Sequence, residues 1–231
     1  MTGISASDVI YSFGKNRGMG HAHDLIGNNY EGIGISDDYG AYKNLFGENK
    51  HALCWAHPKR KLRDLASSGV LDKEKKKHCI KTYKEFSDIY QRVNEVIESN
   101  NEKDKEDRDK KNAKCNLQEK LEIGAELKEK LIQFTNPHIL DPSKLKKIKK
   151  RLLERIDCYF VCFANKNIPT DNNKAERALR HLVIKRKKSF GSKTKKGADT
   201  MSVLYSVVMS LWWRSKEEFF SNYENALCDG V

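Results

Sequence analysis

The alternation of apolar and polar positions divides the chain into three textures. In the first, short apolar runs alternate with turn residues. Val9-Ile10-Tyr11-Ser12-Phe13 is β-branched and aromatic and ends at Gly14, which predicts a strand. His21 to Ile26 predicts a short helix closed by Gly27. Gly32-Ile33-Gly34-Ile35-Ser36 predicts a buried strand running into Asp37-Asp38. Tyr39 to Phe46 predicts a helix that stops at Gly47, and Ala52 to Ala56 predicts a third strand. Strands alternating with helices imply an α/β layer.

From Lys59 to Lys166 the period lengthens. Ile80, Tyr83, Phe86, Ile89, Tyr90, Val93 and Ile97 recur at helical spacing. Asn100 to Lys114 has no apolar face and predicts a solvated turn or a frayed helix end. Leu117, Leu121, Ala125, Leu131 and Phe134 mark a further helix. Asp141-Pro142 predicts the start of another, with a capping carboxylate and proline at the first helical position. Leu145, Ile148, Leu152, Ile156, Tyr159 and Phe163 then share one face. In the last third, Pro169-Thr170-Asp171 predicts the start of a helix carrying Ala175 to Arg180. A basic stretch follows, then an apolar helix from Ala198 to Trp213. Ser215 and Glu218 form a capping box for a final helix with Phe219 and Phe220. The expected organisation is an α/β core in residues 1–58 and 167–231, interrupted by an all-helical insertion at 59–166.

Charge narrows the partners. Lys and Arg total 44 against 32 Asp and Glu, a net charge of +12. This surplus favours nucleic acid or an anionic membrane surface. The longest apolar stretch, Met201 to Trp213, is interrupted by Ser206 and Ser210 and is shorter than the ~20 residues of a spanning helix. No membrane partner is therefore expected. The N-terminus lacks a signal-peptide pattern, and six scattered cysteines suggest reduced thiols, so a cytoplasmic, nucleoid-associated location is expected.

Several residues could carry chemistry. Asp37 and Asp38 sit at the end of a predicted strand, where carboxylates can hold a hard cation. Asp-Asp-Tyr-Gly is equally good turn chemistry, and spacing alone favours the turn. Glu176, on the helix after Asp171-Asn172-Asn173, could pair with Arg180 four residues on, an interaction of ~0.3–0.5 kcal/mol. Arg180 to Gly197 contains no acidic residue, and its Lys, Arg, Ser, Thr and glycine amides suit phosphate contact. Cys54 and His57 have ligand-like spacing, but a zinc site needs about two more ligands, and Cys158 and Cys162 lie on a distant apolar helix. His21-Ala22-His23 is a weaker pair still.

Taken in order, the motifs resemble the insertion-sequence-66 family of bacterial and archaeal transposases over nearly the whole chain. They are Gly32 to Tyr42 (GIGISDDYGAY), Cys54 to Leu62 (CWAHPKRKL), Asp171 to Arg180 (DNNKAERALR), Arg186-Lys187, Ser189-Phe190-Gly191 and Leu204-Tyr205-Ser206. The resemblance implies an RNase H-like core and a catalytic Asp-Asp-Glu (DDE) triad. In it Asp37 is the second acid and Glu176 the third, 139 positions apart. Asp38 replaces the small residue usual after that Asp, which leaves open which of the two ligates metal. The resemblance also implies Mg²⁺ (or Mn²⁺) as cofactor, bound by Asp37 and Glu176, which are then expected to converge in space. Element-end and target DNA are the implied partners, contacted by Arg177, Arg180, Lys185, Arg186, Lys187, Lys188, Lys193, Lys195 and Lys196; homo-oligomerisation is left open. In the family the first Asp lies on a strand upstream of the Val9–Phe13 strand, and here eight residues precede Val9. Asp8 falls in what should be a hairpin turn. The expectation is therefore an incomplete core that lacks one acid, inactive alone. The alternative is a non-catalytic DNA-binding remnant able to modulate an intact transposase.

Overall fold

A computed structural model describes residues 2–5, 7–13, 19–27, 30–42, 45–47, 49–106, 110–189 and 192–228. The elements are β1 (Thr2–Ile4), β2 (Val9–Tyr11), α1 (Met19–Ile26), β3 (Gly34–Ser36), a 3-10 turn (Gly40–Tyr42), β4 (His51–Leu53), α2 (Ala56–Ala66), α3 (Lys73–Glu106), α4 (Lys110–Phe134), α5 (Ser143–Glu154), α6 (Ile156–Ala164), α7 (Asn173–Ser189), α8 (Lys195–Arg214) and α9 (Phe219–Cys228). The fold is mixed α/β and mostly helical. The described strands form two separate pairs, β1-β2 antiparallel and β3-β4 parallel. The chain divides into two compact units, one of Met1–Tyr30, Gly40–Leu45 and Asn173–Val231, the other of Glu31–Tyr39 and Phe46–Asn172.

The first unit is built on a hairpin. β1 and β2 pair with Thr2 opposite Tyr11 and Ile4 opposite Val9. Ser5 N–H donates to the Asp8 carbonyl (2.9 Å) and the Ser5 hydroxyl accepts Asp8 N–H (2.9 Å), which places Asp8 in the hairpin turn as expected. Asp8 there pairs with Arg214. Val9 and Tyr11 are buried and Ile10 is exposed, the period of two of a one-faced strand. The buried face packs on Ala178 and Leu182 of α7 and on Tyr205, Met209 and Trp213 of α8. The other edge of β2 is satisfied by serines. The hydroxyls of Ser210, Ser206 and Ser202 accept the N–H groups of Val9 (3.0 Å), Tyr11 (2.9 Å) and Phe13 (3.1 Å). Four helical residues rise about 6 Å and two strand residues about 6.7 Å, so serines every fourth position keep step with every second strand amide.

The second unit centres on Trp55, fully buried at the start of α2. Its ring stacks on Tyr90 (5.8 Å, 5°), and its indole N–H donates to the Tyr159 carbonyl (2.9 Å). Phe86, Val93, Leu131, Leu145, Leu152 and Phe163 from α3 to α6 complete this core. Gly34 is required at β3, because a Cβ there would lie 2.0 Å from the Phe46 ring.

Several local expectations are corrected. Tyr39 to Phe46 forms no regular α-helix in its described part, because Phe46 is drawn against Gly34 and the His51 ring (5.0 Å); Lys43 and Asn44 lie outside the described residues. β3 is half-buried rather than buried, since among the described strands it pairs only with β4. Helix extends further into the polar stretch at 100–114 than expected, with residues 107–109 outside the description. Asp141 does not cap α5, which has Pro142 at its N-cap and no side-chain cap bond. The predicted long helix breaks at Arg155 (φ −124°, ψ 23°), whose guanidinium turns to His51 Nδ1 (3.0 Å). α7 starts two residues after Asp171 and absorbs most of the basic stretch; Phe190 and Gly191 are not described. α8 begins earlier than expected, at Lys195, where the Thr194 hydroxyl accepts Gly197 N–H (3.0 Å). Ser215 Oγ does accept Glu218 N–H (3.2 Å) before α9.

Candidate active site

Asp37 follows β3 directly, at the C-terminal end of a parallel strand. Its backbone is held by a relay from the neighbouring strand. An arginine has no lone pair to offer, so Arg155 Nη2 donates to His51 Nδ1 (3.0 Å). His51 Nε2–H must then donate to Ser36 Oγ (2.7 Å), and that hydroxyl donates to the Asp37 carbonyl (2.7 Å). Burial, together with the Arg155 charge, pushes His51 down to about 4, against the pull of Asp38 and Asp37, so the neutral tautomer persists near pH 7.

The two adjacent carboxylates have different surroundings. Asp38 forms a forked pair with Arg151: Nη2 donates to Oδ1 (3.0 Å) and Nε to Oδ2. This bond holds the Arg151 guanidinium above its ordinary range. Asp37 has its own interactions, yet its Oδ1 is buried and accepts no hydrogen bond from a described residue.

Two distant motifs meet beside this site. Trp55 N–H donates to the Thr170 carbonyl (3.0 Å), and Asn172 N–H lies 3.5 Å from Cys54 Sγ. Tyr90 O–H lies 3.5 Å from Asp171 Oδ2, and Thr170 Oγ1 donates to Asn94 (2.6 Å). Burial pushes the Cys54 thiol up, the opposite of what a thiolate ligand needs. Cys54 and His57 belong to no metal-holding group among the described residues, and Cys158 and Cys162 are likewise raised by burial, Cys162 to about 12. The His21 side chain lies outside the description.

One His/Asp group, in the helical part, does gather ligand atoms within 4.8 Å of one another: His78, His138 and Asp141. The His78 and His138 rings are stacked at 4.3 Å and 16°, so their in-plane lone pairs cannot meet at one ion without a ring turning. His138 Nδ1 accepts Leu140 N–H (3.1 Å), and Lys149 Nζ donates to both Asp141 oxygens (3.2 and 2.9 Å). A lysine ammonium thus stands where a cation would.

Glu176 is half-buried in the first turn of α7 and belongs to the other unit from Asp37. Arg177, Arg180, Lys185, Lys187 and Lys188 are exposed on α7, Lys193 is exposed before α8, and Lys195 and Lys196 are exposed on its first turn. Arg186 lies on α7 with its side chain outside the description. Lys185 Nζ sits 5.3 Å from the Tyr205 ring centroid, which draws it along the seam between α7 and α8. Sequence reasoning missed Ser36, His51, Arg151 and Arg155. Arg151 and Arg155 reach partners 113 and 104 positions away, and Ser36 and His51 are joined across 15 positions by strand pairing, so none carries a local pattern.

Comparison with protein families places the chain among transposases. The Transposase IS66 family matches residues 3–200, and the chain belongs to that family. No curated protein and no solved structure matches it significantly. Among the described residues, no helix is long and apolar enough to cross a membrane.

Proposed function

We propose that this transposase acts by DDE chemistry, with Asp37 and Glu176 as two of its carboxylates for a divalent cation and an RNase H-like core around them. The observation that carries the reading is the placement of Asp37 at the end of a parallel strand, inside a family match that also spans Glu176. The donor chemistry fits a hard cation: Asp37 carries its carboxylate at the end of a parallel strand, and the adjacent Asp38 is paired with Arg151. Mg²⁺ or Mn²⁺ held there would supply charge neutralisation at the oxygens exchanged in phosphoryl transfer.

The remaining contributions belong to the chain. Arg155, His51 and Ser36 fix the Asp37 backbone, and Arg151 holds Asp38 in place. The exposed lysines and arginines of α7 and the start of α8 bind element-end and target phosphates. Water attack on an end phosphodiester exchanges one P–O bond for another and frees a 3′-hydroxyl. That hydroxyl then exchanges a second P–O bond in target DNA.

The test is a nicking and strand-transfer assay with DNA carrying the element's ends, in Mg²⁺ or Mn²⁺. Any turnover falls by at least about 100-fold in Asp37→Asn and in Glu176→Gln, whereas no turnover is the outcome expected of a core that lacks one acid. Mn²⁺ binding followed by electron paramagnetic resonance weakens in Asp37→Asn but persists in Asp38→Asn. Full activity in Asp37→Asn would overturn the assignment. The described strands form two pairs rather than one sheet, which favours keeping the DNA-binding alternative: DNA binding that persists with no turnover in either metal supports that reading.

A further inference from the structure

α2 and α5 pack against each other and enclose a cleft of about 630 Å³. Its lining includes Lys61 from α2, Lys144, Lys147 and Arg151 from α5, and two acids, Asp38 and Asp64. Both acids are paired, Asp38 with Arg151 of the same lining and Asp64 with Arg63 outside it (3.1 Å). Lys61, Lys144 and Lys147 are exposed, and among the described residues no acid pairs with them. The charge density is high for two helices in contact. Together they hold ten Lys and Arg against Asp64 and Glu154. Such like-charge crowding is unfavourable in the free protein and is relieved by a polyanion.

The spacing fits a phosphodiester backbone. Lys144 and Lys147 lie three positions apart on α5, about 4.5 Å along its axis, and Lys61 lines the same cleft from α2. One strand of duplex DNA presents a phosphate every ~3.4 Å of axis, so two successive phosphates fall within reach of the α5 pair. Arg151 and Asp38 also connect the cleft to the strand end that bears Asp37.

We propose that the α2–α5 cleft is a second DNA-binding surface, in which Lys61, Lys144 and Lys147 neutralise backbone phosphates without reading bases. It uses none of the basic residues of α7 and rests on the reading that the protein binds DNA. The experiment measures duplex binding by fluorescence anisotropy across a salt series. The cleft variant is Lys61→Gln, Lys144→Gln and Lys147→Gln together, and all three side chains are exposed, so the fold is spared. The comparison variant removes the same charge from the exposed Lys73, Lys77 and Lys81 of α3. The cleft variant lowers the slope of log K against log salt by roughly two to three, about 0.9 for each phosphate no longer neutralised, and the α3 variant by less than one. Equal slopes in the two variants would overturn the proposal while leaving the DNA-binding reading intact. Absence of binding by the unaltered chain would overturn both.

Discussion

Asp141 sets up a sharp test of what holds the helical region together. Its side chain is fully buried, and Lys149 is nearly so, at 8% exposure. The carboxylate receives two bonds from Lys149, one from His78 (2.7 Å) and one from His138 N–H (2.9 Å). The cluster therefore ties α3, the turn before α5 and α5 itself to one acid. Asp141→Ala leaves the Lys149 ammonium buried with the Asn136 carbonyl (2.9 Å) as its remaining bond. Breaking a buried pair from one side costs about 3–5 kcal/mol. Replacing both partners is a different perturbation. Lys149→Met in the same chain removes the stranded charge and puts a thioether near Phe134, whose ring centroid lies 5.9 Å from Nζ. The double variant should recover at least about 2 kcal/mol over Asp141→Ala, because an apolar replacement of the whole pair is often neutral.

Urea unfolding followed by helix circular dichroism reads both quantities, provided the slope with denaturant is unchanged. Acid supplies a second readout. Burial pushes the Asp141 carboxyl up, but the bonds from Lys149, His78 and His138 N–H, with the Lys149 charge, outweigh it and hold the group below the usual carboxylate range. A depressed folded pKa means stability that is complete above the ordinary value of ~3.9 and is lost as pH falls through the folded one. The unaltered chain thus loses this contribution below about pH 4, and Asp141→Ala loses that part of its acid limb. A single variant within about 1 kcal/mol of the unaltered chain, or additive effects of the two substitutions, would refute the reasoning.

Two further outcomes follow from the strands. Ser206→Val strips the Tyr11 amide of its acceptor and costs about 1–3 kcal/mol; hydrogen exchange at Tyr11 N–H accelerates, and unchanged protection would show that the serine row is incidental. Gly34→Ala places a methyl group 2.0 Å from the Phe46 ring and costs about 1–3 kcal/mol. Phe46→Ala in the same chain removes the clash, so the double variant is less destabilised than the sum of the singles in urea melts.

The elements the sequence announced most clearly are those whose cause is local. Gly27 closes α1 with φ 80°, the conformation glycine adopts freely, and its N–H returns to the His23 carbonyl (2.7 Å). The alternation of Val9, Ile10 and Tyr11 and the helical period from Phe86 to Ile97 report a buried face within one element; Ile80, placed on that face by the period, is exposed, and Cys79 is buried instead. Where sequence reading failed, the deciding partner is distant. Asp141 looks like a cap until His78, 63 positions away, and Lys149 claim it. Arg155 sits in an unbroken apolar period, and the break there follows from a bond to His51, 104 positions away. The candidate site shows the same division. The strand end at Asp37-Asp38 was legible, but spacing could not separate two adjacent acids. Their different surroundings come from Arg151, 113 positions from Asp38, which no local pattern connects to it.

Those distant partners also define what the helical region does for the acid. Arg151, Arg155 and Tyr159 stand four positions apart across the junction of α5 and α6. Each reaches the β3–β4 segment or the second residue after it: Arg151 bonds Asp38, Arg155 bonds His51, and the Tyr159 carbonyl accepts the Trp55 indole N–H. A straight helix would carry such a stripe gradually around its axis, since four residues overshoot a 3.6-residue turn. The break at Arg155 interrupts that drift and divides the stripe between two helices. β3 and β4 fall in the same compact unit as α2 to α6, and these bonds explain why. A three-residue parallel pair has too little area to hold its own register. The helices supply that hold at Asp38, at His51 and at Trp55. The strand end bearing Asp37 is therefore positioned by residues more than 100 places further along the chain.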